Sequence, residues 1–173
     1  MKVAESEFLS TQAGCWTAKR AAEFSVLNVH ALEIPAPPAI IFPMLSEPDL
    51  LMPGAHWKLL FGVRLAIGKL FGWDRGMESH RPQPFQVGNH YAFFRIEHVD
   101  EPHEVGMSMK NRLTYAVMAW LLCETPGGTM VFNVTCANFL GRQGKFYWRV
   151  IRPFHDGIIE DSLRALRERV QTE

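Results

Sequence analysis

Cysteine is scarce in this chain. Cys15, Cys123 and Cys136 are the three present, and none forms a C-x-x-C pair. An odd, sparse set of this kind excludes a disulfide framework and a thioredoxin-like motif, and it gives zinc no ligand cluster. Cys123 and Cys136 lie within apolar runs, where a buried, inert thiol is expected. Net charge is also absent: eighteen basic residues balance eighteen acidic ones. No one-signed field marks a nucleic-acid partner. The longest apolar stretch, TYAVMAWLLC, runs for ten residues, against the roughly 20 a membrane-spanning helix needs. The opening MKVAESEFLSTQAGCW carries Glu5 and Glu7 and no apolar centre, so it does not read as a secretory signal. A cytoplasmic location is expected. No G-x-G-x-x-G, Walker or G-x-S-x-G pattern occurs, and His80, His98 and His103 have no carboxylate or cysteine at ligand spacing. No metal or cofactor is expected.

What is present has the length of one domain. Residues 1–24 are weakly patterned and are expected to dock loosely. Residues 25–173 read as one folding unit. SVLNVHALEI is β-branched and aliphatic enough for a strand, which Pro35, Pro37 and Pro38 end. A short helix is expected from Pro38, since proline suits a first helical turn. In Gly54–Trp73, Trp57, Leu60, Phe61, Arg64, Leu65, Gly68 and Phe71 recur at helical steps, which predicts a half-embedded helix. Its basic residues beside Trp and Phe also fit a membrane-surface or partner-binding helix. DRGMESHRPQPFQVGN reads as a loop, and as a flap over a pocket mouth.

Four strand candidates follow at hairpin spacing: HYAFFRIEHVD, HEVGMSMKNRL, TYAVMAWLLCE and GTMVFNVTCANFL. Gly127 and Gly128 can form a hairpin turn between the last two. TYAVMAWLLC is apolar on both parities, so its second face needs cover from the N-terminal segment, a helix or a homodimer partner. The chain closes on a helical pattern from about Lys145 to Arg169. Pro153 would kink it or start it, and Ile158, Ile159, Ser162, Leu163, Leu166 and Val170 form its apolar stripe. The fold class is α+β: a curved antiparallel sheet wrapped around a long C-terminal helix.

The residues VGNHYAFFRIEHV, the GGT hairpin, LGRQGKFYW and PFH resemble a bacterial domain family of unknown function in the SRPBCC (START-like, helix-grip) superfamily. The resemblance covers roughly residues 30–170. It departs where that family tends to place Pro and Gly before the AW strand and this chain has Thr114 and Tyr115. The resemblance implies an apolar cavity between sheet and C-terminal helix and no single activity.

Candidate site residues follow from that layout. His155 could polarise a ligand oxygen or act as a general base, although the adjacent Asp156 points about 100° away on a helix and is poorly placed to orient it. Arg152 could clamp a carboxylate. Trp148, Met118 and Trp120 would line an apolar pocket. Tyr91, Phe93 and Arg95 would share one strand face, either inward or outward. Asn28 and His30 share a face of the first strand. The leading expectation is a binding module for a hydrophobic small molecule such as a lipid, isoprenoid or polyketide. The alternatives are a cyclase, dehydratase or hydrolase using His155, and a membrane-surface or partner-binding protein using the 54–73 helix.

Overall fold

A computed structural model describes residues 2–74, 77, 80 and 83–172. The elements run α1 (Glu5–Thr11), α2 (Trp16–Ala21), β1 (Val26–Ile34), α3 (Pro38–Met44), α4 (Pro48–Leu51), α5 (Ala55–Leu70), β2 (His90–Tyr91), β3 (Phe94–Asp100), β4 (Glu104–Lys110), β5 (Thr114–Thr125), β6 (Gly128–Phe139) and α6 (Gly141–Thr172). The strands form one antiparallel sheet in the order β1-β6-β5-β4-β3-β2. The arrangement is α+β and helix-grip-like, with the curved sheet closed on one side by α6. No described helix is long and apolar enough to cross a membrane.

Turn chemistry sets the order. β5 and β6 are joined at Thr125–Gly128, where Gly128 has φ +139° and a Cβ would strike the Ile34 carbonyl oxygen. Only glycine fits both demands. The strand expected over 90–100 is instead two strands. Ala92 turns the chain with φ +56°, and Tyr91 pairs with Phe94. The expected single face holding Tyr91, Phe93 and Arg95 therefore does not exist. Six of the sixteen residues of the expected flap lie outside the described residues.

Both faces of the sheet are covered. On the concave face Ile34, Val131, Met118, Trp120, Leu122 and Met107 pack against Ile41 and Phe42 of α3 and Ile159, Leu163 and Leu166 of α6. On the convex face Val29, Val117, Leu121, Phe132 and Val134 pack against Phe8 of α1 and Ala18 and Ala21 of α2. The two-sided apolar character of β5 is thus answered by the chain's own N-terminal segment. That segment is not loosely docked: Phe8 is fully buried. Helix α6 runs through Pro153 without ending. Packing on both sides of the proline, of Trp148 on Phe139 and of Leu163 and Leu166 in the core, offsets the lost hydrogen bond.

Glu104 fixes α2. Its buried carboxylate accepts hydrogen bonds from the backbone N–H groups of Trp16 (3.0 Å) and Thr17 (2.7 Å). Trp16 then lies flat over Gly106, where a Cβ would come within 2.1 Å of its ring, and stacks on His98. Replacing Glu104 with Ala leaves two N–H groups without their acceptor, and the expected loss is about 1–3 kcal/mol. Urea unfolding measures it, and hydrogen exchange should show the Trp16 and Thr17 amides losing protection before the β5–β6 amides do.

Candidate functional site

The apolar concave face is broken by one polar patch. Asn28 and His30 project inward from β1, and Asn133 and Thr135 from β6. Register pairs His30 with Asn133 and Asn28 with Thr135. Asn133 also stands opposite Trp120 of β5. One row across three strands therefore reads His30, Asn133, Trp120. These side chains are inward because each sits at the same parity as its apolar neighbours, Ile34, Val131 and Leu122.

Helix α6 supplies the other half. Asp156 Oδ1 accepts from Asn28 Nδ2 (2.7 Å) and lies 3.3 Å from His30 Nε2. Its Oδ2 lies 3.2 Å from Lys2 Nζ. His155 Nε2 approaches the Thr135 hydroxyl at 3.3 Å, and its Nδ1 lies 3.4 Å from Asn28 Nδ2. Glu160 Oε1 is 3.6 Å from His30 Nδ1. His155, Asn28, Lys2 and His30 together hold the Asp156 carboxyl well below the usual carboxylate range. Burial pushes the His30 imidazole below its ordinary value, although Asp156 and Glu160 pull it the other way. A neutral His30 beside an ionised Asp156 carries its proton on Nε2, and its Nδ1 is left as an acceptor.

The α6 edge of this patch is satisfied and its centre is not. Asn28 Oδ1, His30 Nδ1, Trp120 Nε1, and both Oδ1 and Nδ2 of Asn133 are buried with no hydrogen-bond partner among the described residues. Each such group costs about 1–3 kcal/mol when left unmade. Two N–H donors and three acceptors are thus left without partners at neighbouring positions of β1, β6 and β5, with His30 Nδ1 3.6 Å from Glu160 Oε1. That is the donor set for a neutral polar group that both gives and accepts hydrogen bonds.

The other expected site residues are dispersed. Trp148 stacks on Phe139 and meets His155 edge-on, so it borders the patch. Met118 is a buried neighbour of Trp120 on β5. Arg152 is exposed and comes no closer than 4.0 Å to Asp156. Tyr91 is buried in the core, and its hydroxyl donates to the carbonyls of Leu45 and Glu47. Phe93 stacks on Phe61 of α5. Arg95 points outward; with Phe93, His80, His90 and Lys110 it lines an open concavity of ≈ 290 Å³ at the far edge of the sheet. A second open concavity, of ≈ 610 Å³, lies by Lys2, Val3 and Leu27. Neither lies between the sheet and α6. The cysteines are unreactive by environment: burial pushes Cys136 up to about 12 and Cys123 up to about 11.

Asn133, Thr135, Asp156 and Glu160 are the members of the patch that sequence reading alone does not collect. The available signal was the period-two pair Asn133 and Thr135 in an apolar strand, matched by Asn28 and His30 in another.

A curved antiparallel sheet gripping a helix, with a polar patch at their junction, defines the class. The family model for a protein of unknown function, DUF2867, matches residues 20–162. The chain belongs to that family. Solved structures share the fold: an uncharacterised protein from Rhizobium leguminosarum (TM-score 0.51, 15% identity, covering 83% of this chain and 95% of that one). So do a protein from Rhodobacter sphaeroides (0.53, 14%, 84% and 92%) and a protein of unknown function from Staphylococcus aureus (0.51, 11%, 86% and 96%). No curated protein sequence matches.

The patch has a pH signature. An unfolded histidine protonates near pH 6.5 and an unfolded aspartate near 3.9. His30 is lower than that when folded, so the unfolded chain takes the proton first and stability falls as pH drops below about 6.5. Asp156 is also lower when folded, so its contribution is present above about pH 4 and is lost below it. In urea unfolding across pH, the wild type should lose stability in both windows. His30→Gln should lose the upper step and keep the lower one.

Proposed function

We propose that this protein is a START-like (SRPBCC) binding module for an amphipathic small molecule. The polar head of the ligand meets Asn133, Asn28, His30 and Trp120. Its apolar body lies along Met118, Leu122 and Met107 beneath α6. Lipids, isoprenoids and polyketides that carry a hydroxyl, carbonyl or amide have the required chemistry. Residues 25–173 form the binding unit, and residues 1–24 cover the outside of its sheet.

One observation carries this reading: five buried polar atoms without partners sit at neighbouring positions on three adjacent strands of a largely apolar face. A stable fold has no use for that cost, whereas a binding site does. Side chains of α3 and α6 pack against the patch, so binding requires them to move. The adaptable Met107 and Met118 suit such a wall.

A second reading, a cyclase, dehydratase or hydrolase, rests on His155. Its ring reaches the Thr135 hydroxyl and the Asn28 amide, within 3.9 Å of Asp156. The exposed Arg152 gives this reading no help.

Replacing Asn133 with Val separates stability from binding. Removing two unpaired polar atoms should stabilise the protein by about 1–3 kcal/mol, while the binding site is lost. Thermal unfolding reads the first effect. Organic extraction and mass spectrometry of purified protein read the second: a compound should leave with the wild type and be missing from the variant. A wild-type extract with no such compound, or a variant that retains it, ends the reading.

A further inference from the structure

The charges of the chain cancel as a whole but not locally. Residues 54–73 hold Lys58, Arg64 and Lys69 and no acid; residues 141–155 hold Arg142, Lys145, Arg149 and Arg152 and no acid. Seven of eighteen basic residues therefore fall in two acid-free stretches, and the fold sets those stretches side by side. Trp57 of α5 donates to Asp161 of α6 at 2.8 Å and its ring covers Gly157. Farther along, Arg64 donates to the Tyr147 hydroxyl at 3.1 Å. The two helices run antiparallel along this seam.

The outward face of the pair is apolar. On α5, Leu60 (40% exposed), Val63 (51%), Ile67 (42%) and Phe71 (61%), the last at its C-cap, recur at helical spacing and stand in water. On α6, Phe146 (70%), Val150 (48%) and Phe154 (46%) do the same. With 3.6 residues per turn, Phe146, Val150 and Phe154 fall on the flank of α6 that also carries Tyr147, Gly157 and Asp161, the residues that meet α5. On α5 the exposed stripe likewise borders the Trp57–Arg64 line that meets α6. Both stripes therefore open onto one surface over the seam.

Basic residues edge this surface on both sides. Lys58 and Lys69 lie on the side of α5 opposite Leu60, Ile67 and Phe71, with the exposed Leu59 (68%) and Leu70 (81%) carrying the apolar surface across to them; Arg142, Lys145, Arg149 and Arg152 lie on the outer flank of α6. Arg64, by contrast, is turned inward and paired with Asp74. Among the described residues, Lys69, Arg142, Lys145 and Arg149 are in no ion pair.

We propose that α5 and the first half of α6 form a docking surface for an anionic lipid bilayer, with the apolar stripes entering the acyl boundary and the basic flanks meeting the headgroups. An apolar band bordered by unpaired cations is complementary to a negatively charged interface that is greasy beneath. A second copy of the chain is a poor occupant, because a shared two-fold face would set like charges against each other at its rim. Of the aromatic residues in this stretch, Phe71 stands in the exposed stripe, whereas Trp57 and Trp73 are half-buried and Trp57 is held by Asp161. The inference does not depend on any ligand in the concave face.

Co-sedimentation of the full chain with vesicles tests it. The protein should partition onto phosphatidylcholine vesicles containing phosphatidylglycerol, only weakly onto phosphatidylcholine alone, and less as salt is raised. The double variant Lys69→Glu/Arg149→Glu should weaken binding by about tenfold or more. Val63→Glu and Phe146→Glu should also release the protein, with folding checked by circular dichroism. Leu9→Glu, on α1 and away from this face, should change nothing. Any of three results overturns the proposal: no partition onto the anionic vesicles, equal partition onto neutral ones, or face variants that behave like Leu9→Glu. A dimer that Phe146→Glu splits, in a protein that ignores vesicles, would assign the face to a second copy instead.

Discussion

Strand β5 is apolar at nearly every position, and neither of its faces can be left in water. The inner residues Met118, Trp120 and Leu122 need a cover, and so do Val117, Ala119 and Leu121 behind them. Each large side chain fully buried contributes about 1.5–3 kcal/mol, which outweighs any surface ion pair in the molecule. That requirement explains the layout on both sides. Helices α3 and α6 close the concave side. Helices α1 and α2, short and poor in apolar residues, close the convex side with Phe8, Ala18 and Ala21. Helix α2 is then held by Glu104 rather than by hydrophobic area, since two backbone amides converge on one buried carboxylate.

The same requirement makes the polar patch conspicuous. A face under pressure to be apolar nonetheless carries Asn28, His30, Asn133 and Thr135 on adjacent strands. Asp156 turns one edge of the patch into a network and holds the His30 tautomer, and Nδ1 faces Glu160 across 3.6 Å. Toward Trp120 the network stops. The contrast between a satisfied edge and an unsatisfied centre is difficult to derive from folding alone, since an apolar residue at position 133 would be the more stable choice. It is the feature on which the proposed binding site rests.

Much of this fold was legible in the sequence. Turn residues punctuate 101–128, so β5 and β6 could be placed to within a residue and β4 with a three-residue overrun at its end, and the stripe Ile159, Leu163 and Leu166 marked the gripping half of α6. The misreading at 90–100 has a specific cause: the turn uses Ala92 at positive φ, a residue that gives no turn signal. The N-terminal helices were not visible because their stability comes from the sheet beneath them. The site was half visible. Alternate polar residues announced Asn28 and His30, but their partners on β6 depend on a register set more than a hundred residues away. Asp156 was expected to lie too far round the helix to serve His155; its carboxylate comes within 3.9 Å of His155 Nδ1 and reaches Asn28 and His30 as well.

Helix α6 divides its work at about Pro153. Beyond the proline it is an ordinary amphipathic helix that buries Ile159, Ser162, Leu163 and Leu166. Before it the segment is basic and aromatic, touches the sheet through Trp148, and exposes Phe146 and Val150. A helix that served only to close the core would not expose phenylalanine along one flank and arginine along the other. At the seam with α5, side chains bridge the two helices: Trp57 to Asp161, Arg64 to Tyr147. Lipid contact would solvate the apolar stripes as the helices part, lowering the cost of opening where water would raise it.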